Sequence, residues 1–296
     1  MAPRDILLML LVNTFWAFNF VASKYGVDHF PPIFFTAMRF ALLFLLLLPF
    51  LKPVPRSQWK AVAGVALSMG VLHFSLMFTG LGLAQDISSV AIASQLHVPF
   101  AAILAVVFLG ERIRWRRILG IAAAFAGVML IGFDPVVFRH LDALSLVAAA
   151  AVAMAMNSVI ASTLRNVNAF TLQAWMALVA TPGLTLISFL FESGHWQAVT
   201  AAGWPEWGSM VYSCVGASVI GHGIVYTLLT RYPVSVTAPY LLLTPVLAVG
   251  FGVLFWGDQL SWKLLVGGLL TLAGVAVITV RAPKLTAAAA QAGELT

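Results

Sequence analysis

Residues 108–127 of the chain are written a second time 147 positions further on. Phe108-Leu-Gly-Glu-Arg-Ile-Arg-Trp115, running on to Gly120 and Gly127, returns as Phe255-Trp-Gly-Asp-Gln-Leu-Ser-Trp262, running on to Gly267 and Gly274. Upstream, Pro99 answers Pro245 with one residue of slippage. Two halves of about 147 residues fill a chain of 296, so one fold must serve twice.

Composition then says where that fold sits. The chain is 61% hydrophobic and 9% charged, with a mean hydropathy of +1.00. Soluble domains carry about 25% charged residues, so this chain belongs in a membrane. A span needs roughly 20 residues, and apolar runs bounded by loop residues give ten of them. They cover 6–27, 33–51, 60–83, 88–109, 115–132, 141–164, 170–192, 207–229, 233–256 and 262–281, numbered here as helices 1 to 10. The first run is longer than a signal-peptide core of about 7–15 residues and is read as a retained helix. The longest connection, 193–206, joins helices 7 and 8, and the Ala-rich stretch 283–296 reads as a disordered tail.

Of the 16 basic residues, 12 fall at one end of the ten spans: Arg4, Lys52, Arg56, Lys60, Arg112, Arg114, Arg116, Arg117, Arg165, Arg231, Arg281 and Lys284. Basic loops stay on the cytoplasmic side, which predicts both termini in the cytoplasm. Charges confined to short loops also account for the net +6 without nucleic acid. The single Cys214 excludes an internal disulfide. No metal-ligand spacing and no cofactor or phosphate-binding motif occurs, which argues against an enzyme and against ATP-driven pumping by this chain.

Five helices per half is an odd number, so the second half must be inverted relative to the first. The predicted fold class is therefore an all-α integral membrane protein, with ten transmembrane helices as two inverted-topology five-helix repeats around a central cavity. The repeats cover 5–133 and 141–282. Inverted repeats are a recurrent architecture of secondary transporters, which bind substrate near the midplane between the halves.

Ten spans in two halves, the helix-1 pattern Phe15-Trp-Ala-Phe-Asn-Phe-Val-Ala-Ser-Lys24 and the paired Gly110-Glu111 and Gly257-Asp258 turns resemble the EamA-type branch of the drug/metabolite transporter superfamily. Within it, the chain is most similar to bacterial inner-membrane exporters of aromatic and other amino acids, the YddG type. The resemblance implies a cavity lined by helices 1, 3, 4, 6, 8 and 9, with 5 and 10 packing at the ends. It also implies a multi-pass protein of the inner membrane that exports small metabolites by alternating access. The alternatives are a broader drug/metabolite proton antiporter and a channel-like facilitator. The expected partners are a small-molecule substrate such as an amino acid, and membrane lipid; a monomer suffices.

All ten acidic residues fall in loops, tails or helix ends. A charge at a helix centre costs roughly 2.5–3.5 kcal/mol on insertion scales, and no carboxylate is placed there. That disfavours a cationic substrate and the embedded-Glu mechanism of the small multidrug antiporters. The interior polarity is neutral: His73 on helix 3, Gln95 and His97 on helix 4, His222 on helix 8, and Asn19 and Asn157 at matching positions of helices 1 and 6. A neutral imidazole both donates and accepts. Helices 3 and 8 are inverted partners, which would let His73 and His222 approach each other. Trp16 and Phe20, four apart on one face of helix 1, complete the candidate lining with Asn13, Tyr226 and Tyr240. Each of these residues also has a plain reading as helix-to-helix packing, and Trp59, Trp204 and Trp207 belong to the interface belt.

Arg39, two turns into helix 2 toward the periplasmic side, either snorkels there or pairs with Asp28, or offers a positive charge to a substrate carboxylate in the outer vestibule. Pro99 and Pro245 remove backbone hydrogen bonds at corresponding depths and, with Gly221 and Gly223, are the candidate gating or hinge positions. Gly120, Gly127, Gly267 and Gly274 share a face at seven-residue spacing and predict close helix packing.

Overall fold

The computed structural model describes residues 1–110, 114–165, 167–229, 231–232 and 234–280. Glu111, Arg112 and the 283–296 tail lie outside these, as does the side chain of Tyr226. Among the described residues, ten helices are long and apolar enough to cross a membrane. They are α1 (Pro3–His29), α2 (Pro32–Phe50), α3 (Arg56–Leu83), α4 (Ile87–Leu109), α5 (Trp115–Gly132), α6 (Leu141–Ala161), α7 (Ala169–Phe191), α8 (Trp204–Val225), α9 (Pro239–Trp256) and α10 (Trp262–Thr279). The helical path of α8 runs on to Leu229, and that of α9 begins at Val234. Short links make each helix antiparallel to the next. The end holding the α1–α2, α3–α4, α5–α6, α7–α8 and α9–α10 links is called the far end below. Two links carry short helices of their own, Pro135–Phe138 and His195–Ala201, where loop was expected.

The duplication is visible as a local two-fold between α5 and α10. A Cβ on Gly120 would stand 2.9 Å from the Gly274 carbonyl oxygen, and one on Gly274 would overlap the Gly120 carbonyl. Likewise a Cβ on Gly267 would stand 2.6 Å from the Gly127 carbonyl, and one on Gly127 would overlap that of Gly267. Gly120 meets Gly274, the counterpart of Gly127, while Gly127 meets Gly267, the counterpart of Gly120, and that exchange is the mark of a two-fold contact. The expected glycine packing is thus backbone against backbone.

Three other features repeat at the same offset. Gly110 and Gly257 both end their helices in the left-handed region, at φ 67° and 76°, where a Cβ is costly. The middle of α3 widens into π-helical turns over Ala66–His73, and that of α8 over Ser213–Gly221. Finally, α4 breaks between Ser94 and His97, and α9 between Leu241 and Leu243. Pro99 and Pro245 lie just beyond these breaks, with i→i+3 bonds such as Gln95 N to Ile92 O bridging the first. The helix breaks beside the prolines are present, and the π turns have no counterpart among the features read from the sequence.

At the far end, carboxylates at helix C-termini close the N-termini of other helices. Glu192, after α7, accepts from the backbone N–H groups of Ile33 (2.8 Å) and Phe34 (3.0 Å) in α2. Asp258, after α9 and only 7% exposed, accepts from Ile87 N (3.0 Å), Ser88 N (2.8 Å) and the Ser88 hydroxyl (2.5 Å). These bonds satisfy donors that a helix start leaves open and place negative charge at the positive end of its dipole. Asp86 caps the same α4 N-terminus through Ser89 N (2.7 Å). Burial is the larger influence on Asp86 and raises its pKa, with the bond from Ser89 opposing it. At the opposite end, Asp5 accepts from Tyr232 Oη (2.7 Å) and Arg231 Nη1 (3.2 Å). Of the three Trp residues expected in the interface belt, Trp204 is 91% exposed and Trp59 57%, whereas Trp207 packs on buried Phe30 at 5.4 Å.

Candidate functional site

The breaks and π turns converge on one cavity of about 420 Å³ at mid-length of the bundle. From α1 it receives Trp16, Asn19, Phe20 and Ser23, which recur every three or four residues and so share one helix face. His73, Phe74, Met77 and Phe78 come from α3, Gln95 and His97 from the break of α4, and Ala217 and His222 from α8. Leu242 enters from the break of α9, at the position 147 residues after Gln95.

The wall is held by bonds between the two repeats. Trp16 Nε1 donates to the Ala217 carbonyl (3.0 Å) in the π segment of α8, and the indole lies 5.1 Å from the His222 ring. A Cβ on Gly221 would come within 2.5 Å of Trp16 Nε1. This proposed hinge position is therefore also the seat of the indole. Gly221→Ala should cost about 1–3 kcal/mol, read as a lower melting temperature in detergent; unchanged melting would mean that the ring has room. Across the cavity, His73 Nδ1 donates to the Ala150 carbonyl of α6 (2.8 Å), which leaves Nε2 as an acceptor. His97 Nδ1 bonds the Ser94 carbonyl at the α4 break (2.9 Å).

Of the sequence candidates, Trp16, Asn19, Phe20, His73, Gln95, His97 and His222 thus share one cavity. Asn13 does not line it: fully buried, it donates to Met9 O (2.7 Å) and accepts from the Thr244 hydroxyl (2.6 Å), tying α1 to α9 behind the wall. Asn157 and Tyr240 are not among the lining residues either. The Asn157 Oδ1 atom is buried without a partner among the described residues. Two further helices join the wall against expectation, α2 through Arg39 and α10 through Val275 and Thr279.

Arg39 is the main correction. It does not pair with Asp28, whose carboxylate is taken by Lys24 one turn earlier on α1 (2.5 Å). At 4% exposure, Arg39 instead donates through Nη2 to Ser218 Oγ (2.7 Å) and through Nε to Ser213 O (3.3 Å), both in the π segment of α8. Phe74 and Phe78 flank its guanidinium, with ring centres 4.7 and 5.6 Å from Cζ. Its Nη1 has no partner among the described residues, nor have Asn19 Oδ1 and Ser23 Oγ, all three buried and on residues that line the cavity. No acidic residue lines the cavity among the described residues. No group of three or more His, Cys, Asp or Glu side chains could hold a metal ion among them.

The described residues thus form an all-helical protein with ten helices long and apolar enough to cross a membrane and a cavity lined from both halves of the chain. The profile of the EamA-like transporter family matches the chain twice, over residues 4–133 and 142–280, and the chain belongs to that family. A probable amino-acid metabolite efflux pump of Escherichia coli K12 is 25% identical over 93% of this chain and 94% of its own length. The corresponding Salmonella typhimurium protein is 26% identical with the same coverage. An uncharacterized transporter of Archaeoglobus fulgidus is 27% identical over 92% of this chain and 97% of its own. A solved crystal structure, 20% identical, superimposes with a TM-score of 0.64 over 97% of this chain and its own full length, and so shares the fold.

Proposed function

We propose that the protein is a secondary transporter that exports small amphipathic metabolites of the amino-acid class by alternating access. Its repeats, 5–133 and 141–282, would rock about the cavity, with both termini in the cytoplasm of a bacterium and the far end in the periplasm. The cavity carries this reading. Its volume of about 420 Å³ lies within the roughly 300–1,000 Å³ range of small-molecule sites. Its aromatic wall and neutral polar groups suit a solute with an apolar body and a polar head, and the two enterobacterial relatives are named for that substrate class. The basic loops at the near end support the orientation.

Uptake of a labelled amino-acid panel into proteoliposomes, with and without a pH gradient, tests the substrate class. The expected result is time-dependent, protein-dependent uptake of at least one aromatic or neutral amino acid. Uptake of none of them, in vesicles that accumulate other metabolites, would remove amino acids and leave a carrier of a different class.

A further inference from the structure

We infer that Arg39 is the carboxylate-binding group of the transport site, with Asn19 receiving the ammonium of the same solute. This rests on the export reading above and names how the substrate would be held.

An arginine stays protonated at physiological pH. Taking such a charge out of water is costly unless it is paired, and the two partners found for Arg39 are uncharged oxygens on α8. No carboxylate is among those partners, and Asp28, the acidic partner considered from the sequence, is engaged by Lys24. The guanidinium is thus pre-oriented by two bonds, leaves Nη1 without a partner among the described residues, and sits in a cavity wall without an acidic member among them. A carboxylate arriving with the solute supplies the missing acceptor and the missing charge together, in the geometry guanidinium favours.

The α1 face of the same cavity provides the other half. Asn19 Oδ1 and, one turn on, Ser23 Oγ are buried and unpartnered among the described residues. An α-ammonium donates to such oxygens, and the apolar body of the solute would lie along Trp16 and Phe20 on the same face. Nη1 is shielded in this state, so engagement requires a turn of the Phe74 or Phe78 ring, both of which flank the guanidinium and line the cavity.

The test compares three probes in the reconstituted full chain: L-phenylalanine, L-phenylalaninamide and 3-phenylpropionate. Each is measured as a competitor of labelled transport and by its shift of thermal melting, in the wild type and in Arg39→Gln and Arg39→Lys. A charge-assisted hydrogen bond corresponds to about 10–100-fold in affinity. The wild type should therefore prefer phenylalanine over its amide by at least about tenfold. Arg39→Gln should erase that preference while still binding the amide, and Arg39→Lys should keep part of it. Equal wild-type affinity for acid and amide, or a preference that survives Arg39→Gln, overturns the assignment and leaves amino-acid export standing. Binding of phenylpropionate but not phenylalanine, lost in Arg39→Gln, upholds the Arg39 site and removes the amino-acid reading. If no probe binds the wild type, both fall.

Discussion

Gly127→Leu should abolish the folded protein. A Cβ at this position would overlap the Gly267 carbonyl oxygen and the Thr271 backbone nitrogen lies within 2.6 Å of it, so the clash is with backbone and no rotamer relieves it. Only separation of α5 from α10 makes room. That separation also breaks the Thr271 hydroxyl contact with Ala124 O (3.4 Å) and opens the reciprocal Gly120–Gly274 contact. Overpacking costs typically 1–3 kcal/mol where side chains can adjust; here the cost should be at least about 3 kcal/mol. Gly250→Ala is the control, because nothing lies within 4 Å of a Cβ placed there. Size-exclusion profiles and melting temperatures in one detergent decide it. If Gly127→Leu melts like the wild type while staying monodisperse, the two-fold packing described here is wrong.

Asp258→Ala has the second-largest expected effect, and it acts at a distance from the mutated helix. Its carboxylate accepts two backbone N–H groups and one hydroxyl at the first turn of α4. Removing it leaves those donors buried, since Ile87 and Ser88 are both fully enclosed. Loss of a cap costs about 0.5–2 kcal/mol, and a buried unsatisfied donor about 1–3 kcal/mol. A total of about 2–4 kcal/mol is expected. Hydrogen exchange should show lost protection over 87–94, the short segment of α4 between this cap and the break. Asp258→Asn keeps one acceptor oxygen and should fall between. Unchanged exchange over 87–94 in Asp258→Ala would show that Asp86 alone secures the helix start.

The fold was nearly all legible in the sequence, because long apolar runs and a 147-residue offset leave few alternatives for a chain of this length. The offset also reaches the cavity: applied to Gln95 it gives Leu242, the matching break residue in the cavity wall. The candidate site was legible only in part, and the reason is rotation. In a bundle whose helices are apolar on most faces, the sequence places both Asn13 and Asn19 within the span of α1 but does not say which faces the cavity. The structure turns Asn19 inward and binds Asn13 between α1 and α9. Pairing with Asp28 is one of the options the sequence leaves to Arg39, yet the i, i+4 spacing of Lys24 and Asp28 on one helix gives that carboxylate a partner of its own. What receives Arg39 is a pair of oxygens in π-helical turns, a register change without proline that leaves only glycines such as Gly216 and Gly221 as a trace in sequence. Wide turns of this kind recur at functional sites, and among the described residues those of α3 and α8 occupy equivalent positions of the repeats, whereas a third, Gly252–Trp256 in α9, has no counterpart in α4.

The central claim is that solute binds in the cavity between the repeats and crosses by alternating exposure of that site. Counterflow tests it most directly: proteoliposomes are preloaded with an unlabelled substrate amino acid and diluted into a trace of the labelled form. A carrier predicts a transient overshoot of internal label that saturates with external concentration and is lost when Ala217→Trp fills the cavity in a protein that still melts cooperatively. Linear, non-saturating entry without overshoot would contradict the account and indicate a channel-like path.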